Sequence, residues 1–146
     1  MQRFIVFLVA VIVSVGHAQT QATKEDGVRA FIKTFADARN AHDGDSAAAL
    51  YTEAGEWIKV GTWSTWTMVV RGRADLAKLW SGVTGHVDRT VSAIEFPGPN
   101  IAVVRVSGQY YPDTGTTGLH PEVFVLVNEN SATSPNWRIC IHQTLD

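Results

Sequence analysis

The chain has 146 residues, 45% of them hydrophobic and 18% charged, which suits one compact domain and excludes a disordered, collagen-like or coiled-coil chain. Twelve Lys and Arg against 14 Asp and Glu give a net charge of -2 and leave no basic surplus to draw the chain onto phosphates. No nucleic-acid partner is expected.

The opening residues read as a secretory signal. A single cation, Arg3, precedes the run Phe4 to Val13, which has no polar side chain, and Gly16, His17 and Ala18 follow as a small-x-small cleavage signature. The apolar run is shorter than the ~20 residues that a membrane-spanning helix wants. Cleavage after Ala18 leaves residues 19–146 as a single domain, secreted or periplasmic and with no membrane association once cut; the alternative is an uncleaved anchor. Cys140 is the sole cysteine, so no intramolecular disulfide can form, and its apolar surroundings from Trp137 to Ile141 suggest a buried structural thiol. No Cys/His cluster has zinc-ligand spacing and no HExxH pattern occurs, so no metal is expected.

Val28, Phe31, Ile32, Phe35 and Ala38 form the apolar stripe of a first helix, about Lys24 to Ala41. Thr23 with Asp26 resembles a capping box for its start, and Asp43-Gly44 is expected to end it as a turn. Asp45 then caps a short second helix through Tyr51. Glu56 to Val70 reads as two short strands or a hairpin, and Leu76, Leu79, Trp80 and Val83 mark a third helix. Four strand-like runs follow: Val87 to Phe96, Ile101 to Tyr111, Leu119 to Asn128 and Trp137 to Leu145. Turn-forming residues separate them, Asn130 to Asn136 making the last break. Connections this short force consecutive strands to pair antiparallel. The sum is α+β, three helices in the N-terminal half packed on a curved antiparallel sheet.

Several local runs, taken in order, resemble the SgcJ/EcaC branch of the SnoaL-like proteins, within the nuclear-transport-factor-2-like superfamily. They are Ala38-Arg39-Asn40-Ala41-His42-Asp43-Gly44-Asp45 with Leu50-Tyr51; Trp57-Ile58-Lys59-Val60-Gly61 with Trp63 and Trp66; Arg71-Gly72-Arg73; Phe96 to Arg105; and Trp137-Arg138-Ile139 with His142-Gln143-Thr144. The resemblance implies a cone-shaped fold whose bent sheet wraps the first helix around an apolar pocket, often with a homodimer formed through the outer face of the sheet. It also implies a superfamily of isomerases, dehydratases, cyclases and simple binders, so that function does not follow from fold. The branch often carries an oxidoreductase label, but no Gly-rich phosphate loop or flavin-type motif is present and no cofactor is expected.

In the ketosteroid isomerase pattern a carboxylate on the first strand is the base, and alignment through Tyr51 puts Lys59 at that place, within one residue. An ammonium takes no proton unless burial lowers its pKa by several units, so that chemistry is disfavoured. Lys59 either attracts an anionic group in the pocket or is a solvated lysine near a sheet edge. Alternation puts Trp57 on the same face as Lys59, while Trp63 and Trp66 cannot share a face in an unbroken strand. Trp57, Trp63, Trp66 and Trp80, with Tyr110 and Phe124, are candidates to line a ligand pocket; for each tryptophan the alternative is core or dimer packing.

His120, Glu122 and Phe124 share one strand face, opposite the apolar row Val123, Val125 and Val127. On the last strand His142 falls with Arg138 and Cys140, opposite Trp137, Ile139 and Ile141. Glu122 with His120 and His142 makes the candidate catalytic cluster, a carboxylate and imidazoles suited to proton transfer. The competing role for Glu122 is a cross-strand ion pair with Arg105 or Arg138. His86 falls at the expected pocket mouth, as an exposed loop histidine or a ligand contact, and Asp43 and Asp45 carry no chemistry. Three functions compete: a module binding a small apolar or aromatic molecule, a cofactor-free lyase, isomerase or cyclase, and a dimeric adaptor.

Overall fold

The computed structural model describes residues 2–61, 66–130 and 135–145, with residues 2–20 described by backbone alone. Among these, three helices accompany six strands: α1 (Gln2–Asn40), α2 (Gly44–Ala49), β1 (Tyr51–Val60), β2 (Thr67–Arg71), α3 (Arg73–Gly82), β3 (His86–Gly98), β4 (Ile101–Tyr111), β5 (Gly118–Asn128) and β6 (Trp137–Leu145). They form one curved, unclosed sheet in the order β2-β1-β6-β5-β4-β3. No helix among the described residues is long and apolar enough to cross a membrane.

Consecutive strands pair antiparallel wherever a short connection joins them, and β2 and β3, with α3 between them, form the two edges. The expectation of an antiparallel sheet fails at one pair, the second and third strands in the order, where β1 and β6 run parallel with Trp57 opposite His142 and Lys59 opposite Thr144. The turn rule governs only strands adjacent in sequence, and nearly the whole domain separates these two. Register shifts in the β1/β6, β3/β4 and β5/β6 ladders bend the strands, as an extra residue on one side of a ladder does.

The helix stripes pack as their periodicity requires. Val28, Ile32 and Phe35 of α1 are buried with Leu76 and Trp80 of α3 against Tyr51, Val104, Phe124, Leu126 and Ile139 of the sheet. Phe35 is the hub, its ring meeting Tyr51, Trp80, Phe124 and His142 edge-on with centroids 5.4 to 6.0 Å apart.

Helix ends differ from expectation in four places. α1 runs unbroken through Thr23, which therefore lies inside the helix and does not begin it; no proline interrupts the chain between Arg3 and that point. Its C-terminus is closed by His42 and not by Asp43-Gly44: His42 takes φ 56, its N–H bonds Arg39 O at 3.1 Å, and Asp43 N–H bonds Ala38 O at 3.0 Å. This pair of bonds is the Schellman closure around a left-handed residue. Asp43, not Asp45, caps α2 by accepting from Ser46 N–H at 3.0 Å. Tyr51 belongs to β1 and not to α2, and Arg73 at the start of α3 pins its carbonyl with donors at 2.9 and 2.7 Å.

Candidate functional site

Between the concave sheet, the C-terminal end of α1 and α3 lies a cavity of about 210 Å³. Trp57 and Lys59 of β1, Trp80 of α3 and Tyr110 of β4 form much of its wall. Trp57 is fixed by donating Nε1–H to Thr144 Oγ1 at 3.1 Å and by an edge-on contact with Trp80 at 5.7 Å. Tyr110 donates its hydroxyl to Thr84 O at 3.3 Å and meets the His120 ring edge-on at 5.5 Å.

Charged groups sit deep in the cavity. Glu122 Oε2 accepts from Arg89 Nε at 3.0 Å and from His142 Nε2 at 2.9 Å, and His142 Nδ1 lies 3.0 Å from the Tyr51 hydroxyl. All four side chains are nearly inaccessible to solvent. Burial alone would push the Glu122 carboxyl up, but the Arg89 charge and the His142 hydrogen bond outweigh it and hold it at about 2. Burial lowers His142, against the pull of Glu122, and burial raises Tyr51 well above its ordinary value, aided by the Glu122 charge. The protonation pattern follows. An ionised carboxylate only accepts, so neutral His142 carries its proton on Nε2 and its Nδ1 accepts from the Tyr51 O–H.

The arginine beside this hydrogen-bonded chain makes no carboxylate pair among the described residues. Arg39, in the last turn of α1, donates Nη1 to Gly85 O at 2.6 Å and to Asn40 Oδ1 at 3.3 Å, and Nη2 to Thr84 O at 3.3 Å. Burial lowers its pKa, and so does the neighbouring charge of Arg89.

Of the predicted site residues, Trp57, Lys59, Trp80, Tyr110, His120, Glu122 and His142 line the cavity. Phe124 shares the face of Glu122 but lies in the core, stacked on the His142 ring at 4.0 Å with no solvent exposure. Trp66 is 44% exposed and is not part of the cavity wall; the Lys59 ammonium sits 5.9 Å from its ring centroid. Trp63 lies outside the described residues. His86 begins β3, exposed and paired with Asp88 at 2.5 Å, away from the cavity.

Three expectations about partners and faces need correction. Glu122 pairs with Arg89, because Arg105 and Arg138 fall on the opposite face of the sheet and reach Glu95 and Glu129 instead. His142 does not share a face with Arg138 and Cys140. Ile139 pairs with Leu126 while Ile141 pairs with the adjacent Val125, so Cys140 is an extra residue that turns His142 to the side of Trp137 and Ile139. Cys140 itself is half-buried and not enclosed.

Arg39, Val83, Val87, Arg89 and Thr144 line the cavity without having been singled out. Two of them carried a sequence signal. Arg39 continues the Val28, Ile32, Phe35 stripe by one more turn, and Arg89 stands between Val87 and Val91 on one face of β3. A cation at an inward-facing position on an apolar face needs a buried partner. Among the described residues no group of three or more His, Cys, Asp or Glu side chains is placed to hold a metal ion.

No protein-family model matches this sequence, and no curated protein matches it. Solved structures do. A ketosteroid isomerase-like protein from Erwinia carotovora atroseptica superposes with a TM-score of 0.60 at 21% identity, covering 80% of this chain and 91% of that one. A scytalone dehydratase-like protein from Novosphingobium aromaticivorans gives 0.65 at 14% identity, covering 87% and 86%. An NTF2-like protein of unknown function from Shewanella oneidensis gives 0.67 at 13%, covering 84% and 99%. At these identities the likeness establishes the fold, which is NTF2-like, and leaves the chemistry to the residues described above.

Proposed function

We propose that the protein binds a small, largely apolar or aromatic molecule in the cavity between α1, α3 and the concave sheet, as a SnoaL-like binding domain of the SgcJ/EcaC type. The observation that carries this reading is the cavity itself, about 210 Å³ and walled by Trp57, Trp80 and Tyr110. Aromatic walls with a few converging polar groups are what a small-molecule site requires, and an apolar cavity of about 150 Å³ already holds benzene. The protonation states favour binding over proton transfer. A carboxylate held at about 2 is a weak base at neutral pH, and both ring nitrogens of His142 are committed to partners.

The test is a thermal-shift and tryptophan-fluorescence titration of the purified protein with one- and two-ring aromatic compounds and small steroids. A ligand at 100 times its Kd should stabilise the fold by about 2.7 kcal/mol and perturb the emission of Trp57 and Trp80. If no compound at saturating concentration moves either signal, the reading is lost.

One observation favours a second reading, a cofactor-free lyase, isomerase or cyclase. The His142–Glu122 pair, 2.9 Å apart, lines the cavity, and the neighbours include isomerase-like and dehydratase-like proteins. Here His142 would hand a proton between guest and Glu122 after releasing one partner. Replacing His142 by Gln should abolish turnover of a substrate while the fold survives; unchanged turnover would reject it.

Export through residues 1–18 and pairing of two copies through the outer sheet face belong to the same proposal. The half-buried row Val123, Val125 and Val127 on that face supports the second of these. Sedimentation of a clean monomer at micromolar concentration would count against it.

A further inference from the structure

We propose that the guest is an anion: an aromatic or similarly apolar molecule carrying one carboxylate, seated with that group against the Arg39 and Arg89 end of the cavity. This rests on the binding reading above and specifies the chemical class of the ligand.

Two observations carry it, and both concern groups that are at least nineteen-twentieths buried. The first is a charge imbalance. Arg39 and Arg89 are two buried cations lining the cavity, and Glu122 is the one acid among its described lining residues. Glu122 is bonded to Arg89, while Arg39 spends its donors on the neutral oxygens of Gly85, Thr84 and Asn40. A buried cluster with a surplus positive charge is costly, and a negative guest offsets that cost. The second is an orphaned donor. Arg89 Nε is bonded to Glu122, but Arg89 Nη1 is buried with no hydrogen-bond acceptor. Buried donors are rarely left unmet, and because Arg89 lines the cavity a carboxylate seated beside it is placed to supply the acceptor. Carboxylate and guanidinium match in plane and spacing, so Arg89 can bridge Glu122 on one side and the guest on the other.

The walls complete the specification. Trp57, Trp80 and Tyr110 present aromatic surface to whatever is attached to the carboxylate. A neutral guest of the same shape would fill the same volume yet leave the surplus charge and the orphaned donor as they stand.

The experiment compares isosteres on the intact protein: benzoate against benzamide, and 1-naphthoate against 1-naphthamide, by calorimetric titration at pH 7 and low ionic strength. The expected result is that each acid binds at least tenfold more tightly than its amide and that the preference shrinks as salt is raised. Amides binding as well as acids, or better, would overturn the anion assignment while leaving the binding reading intact. No binding by either series would overturn both together. In the double variant Arg89→Gln/Glu122→Gln, which removes cation and anion at once, the acid-to-amide ratio should fall to about one. A preserved ratio would move the seat away from Arg89 and reject the proposal. Should that variant fail to fold, the ratio measured on the unaltered protein still decides.

Discussion

Gly108 and Glu122 are fitted to each other: a Cβ built on Gly108 would stand 2.9 Å from Glu122 Oε1 and 3.0 Å from His120 O. Glu122 lies on β5 and Arg89 on β3, with β4 between them, and Gly108 is the β4 residue opposite both Arg89 and His120. The ion pair therefore crosses a strand at the place where that strand has no side chain. Gly108→Ala should push the carboxylate off its partners, costing roughly 1 to 3 kcal/mol as buried groups lose hydrogen bonds. Urea unfolding measures this, and a loss below about 0.5 kcal/mol would show that the carboxylate has room to spare.

The acid side of the stability profile follows from the same network. Glu122 has a folded value of about 2 against 4.5 when free, so the stability it contributes is complete above 4.5 and is lost as pH falls from 4.5 to 2. That amounts to roughly 3 kcal/mol at about 1.4 kcal/mol per unit. His142 acts with the same sign. Its folded pKa lies below 6.5, so the unfolded chain takes up the proton first and stability begins to decline as pH drops below 6.5. Denaturant midpoints should thus fall in two stages, one below 6.5 and one below 4.5. A flat profile from pH 7 to 3 would contradict the protonation states assigned to both groups.

Glu122→Gln separates these stages. The substitution keeps shape but removes the one carboxylate bonded to Arg89 among the described residues, leaving a buried cation unopposed. Breaking a buried pair in this way costs on the order of 3 to 5 kcal/mol. The decline between 4.5 and 2 should become shallower, because the group responsible for it is gone. A variant as acid-sensitive as its parent in that range would assign the decline to other carboxyls.

How far the sequence discloses this molecule depends on the range of each signal. The stripe Val28, Ile32, Phe35 and the alternation of Glu122, Phe124 and Leu126 are local periodicities, and the structure buries those residues on one side as their spacing requires. His142 was legible as a candidate but not in its direction, because the extra residue Cys140 reverses the alternation and nothing in Trp137 to His142 marks a bulge. The partner of Glu122 was hidden for a different reason. Arg89 comes from a strand that is not adjacent to β5, and cross-strand rules rank only immediate neighbours. The parallel β1/β6 pairing, which sets Trp57 beside His142, is likewise a contact between the two ends of the sheet-forming sequence that no turn specifies.

Phe35 supplies a test of the core that stands apart from the charges. Its ring touches Tyr51, Trp80, Phe124 and His142, and the Arg89 guanidinium lies 5.2 Å from its centroid. Phe35→Ala should cost about 3 to 5 kcal/mol, through lost transfer energy and the void left behind. It should also loosen His142 and Arg89, which lean on the ring. Calorimetry on the variant that gave less than about 1.5 kcal/mol would mean that the surrounding rings close over the void.

Tyr51→Phe probes the far end of the chain of hydrogen bonds. The tyrosine is fully buried and its hydroxyl bonds His142 Nδ1, so the change removes a donor and nothing of the packing surface. The direct cost is modest, about 0.5 to 1.5 kcal/mol. The informative consequence is at the histidine. With no donor on Nδ1, the neutral ring loses a stabilising bond, and its pKa should rise from the depressed value that burial imposes. Histidine chemical shifts followed against pH would register that rise. An unmoved midpoint would mean that the Tyr51 hydroxyl does not hold the tautomer, and that Glu122 alone fixes the proton on Nε2.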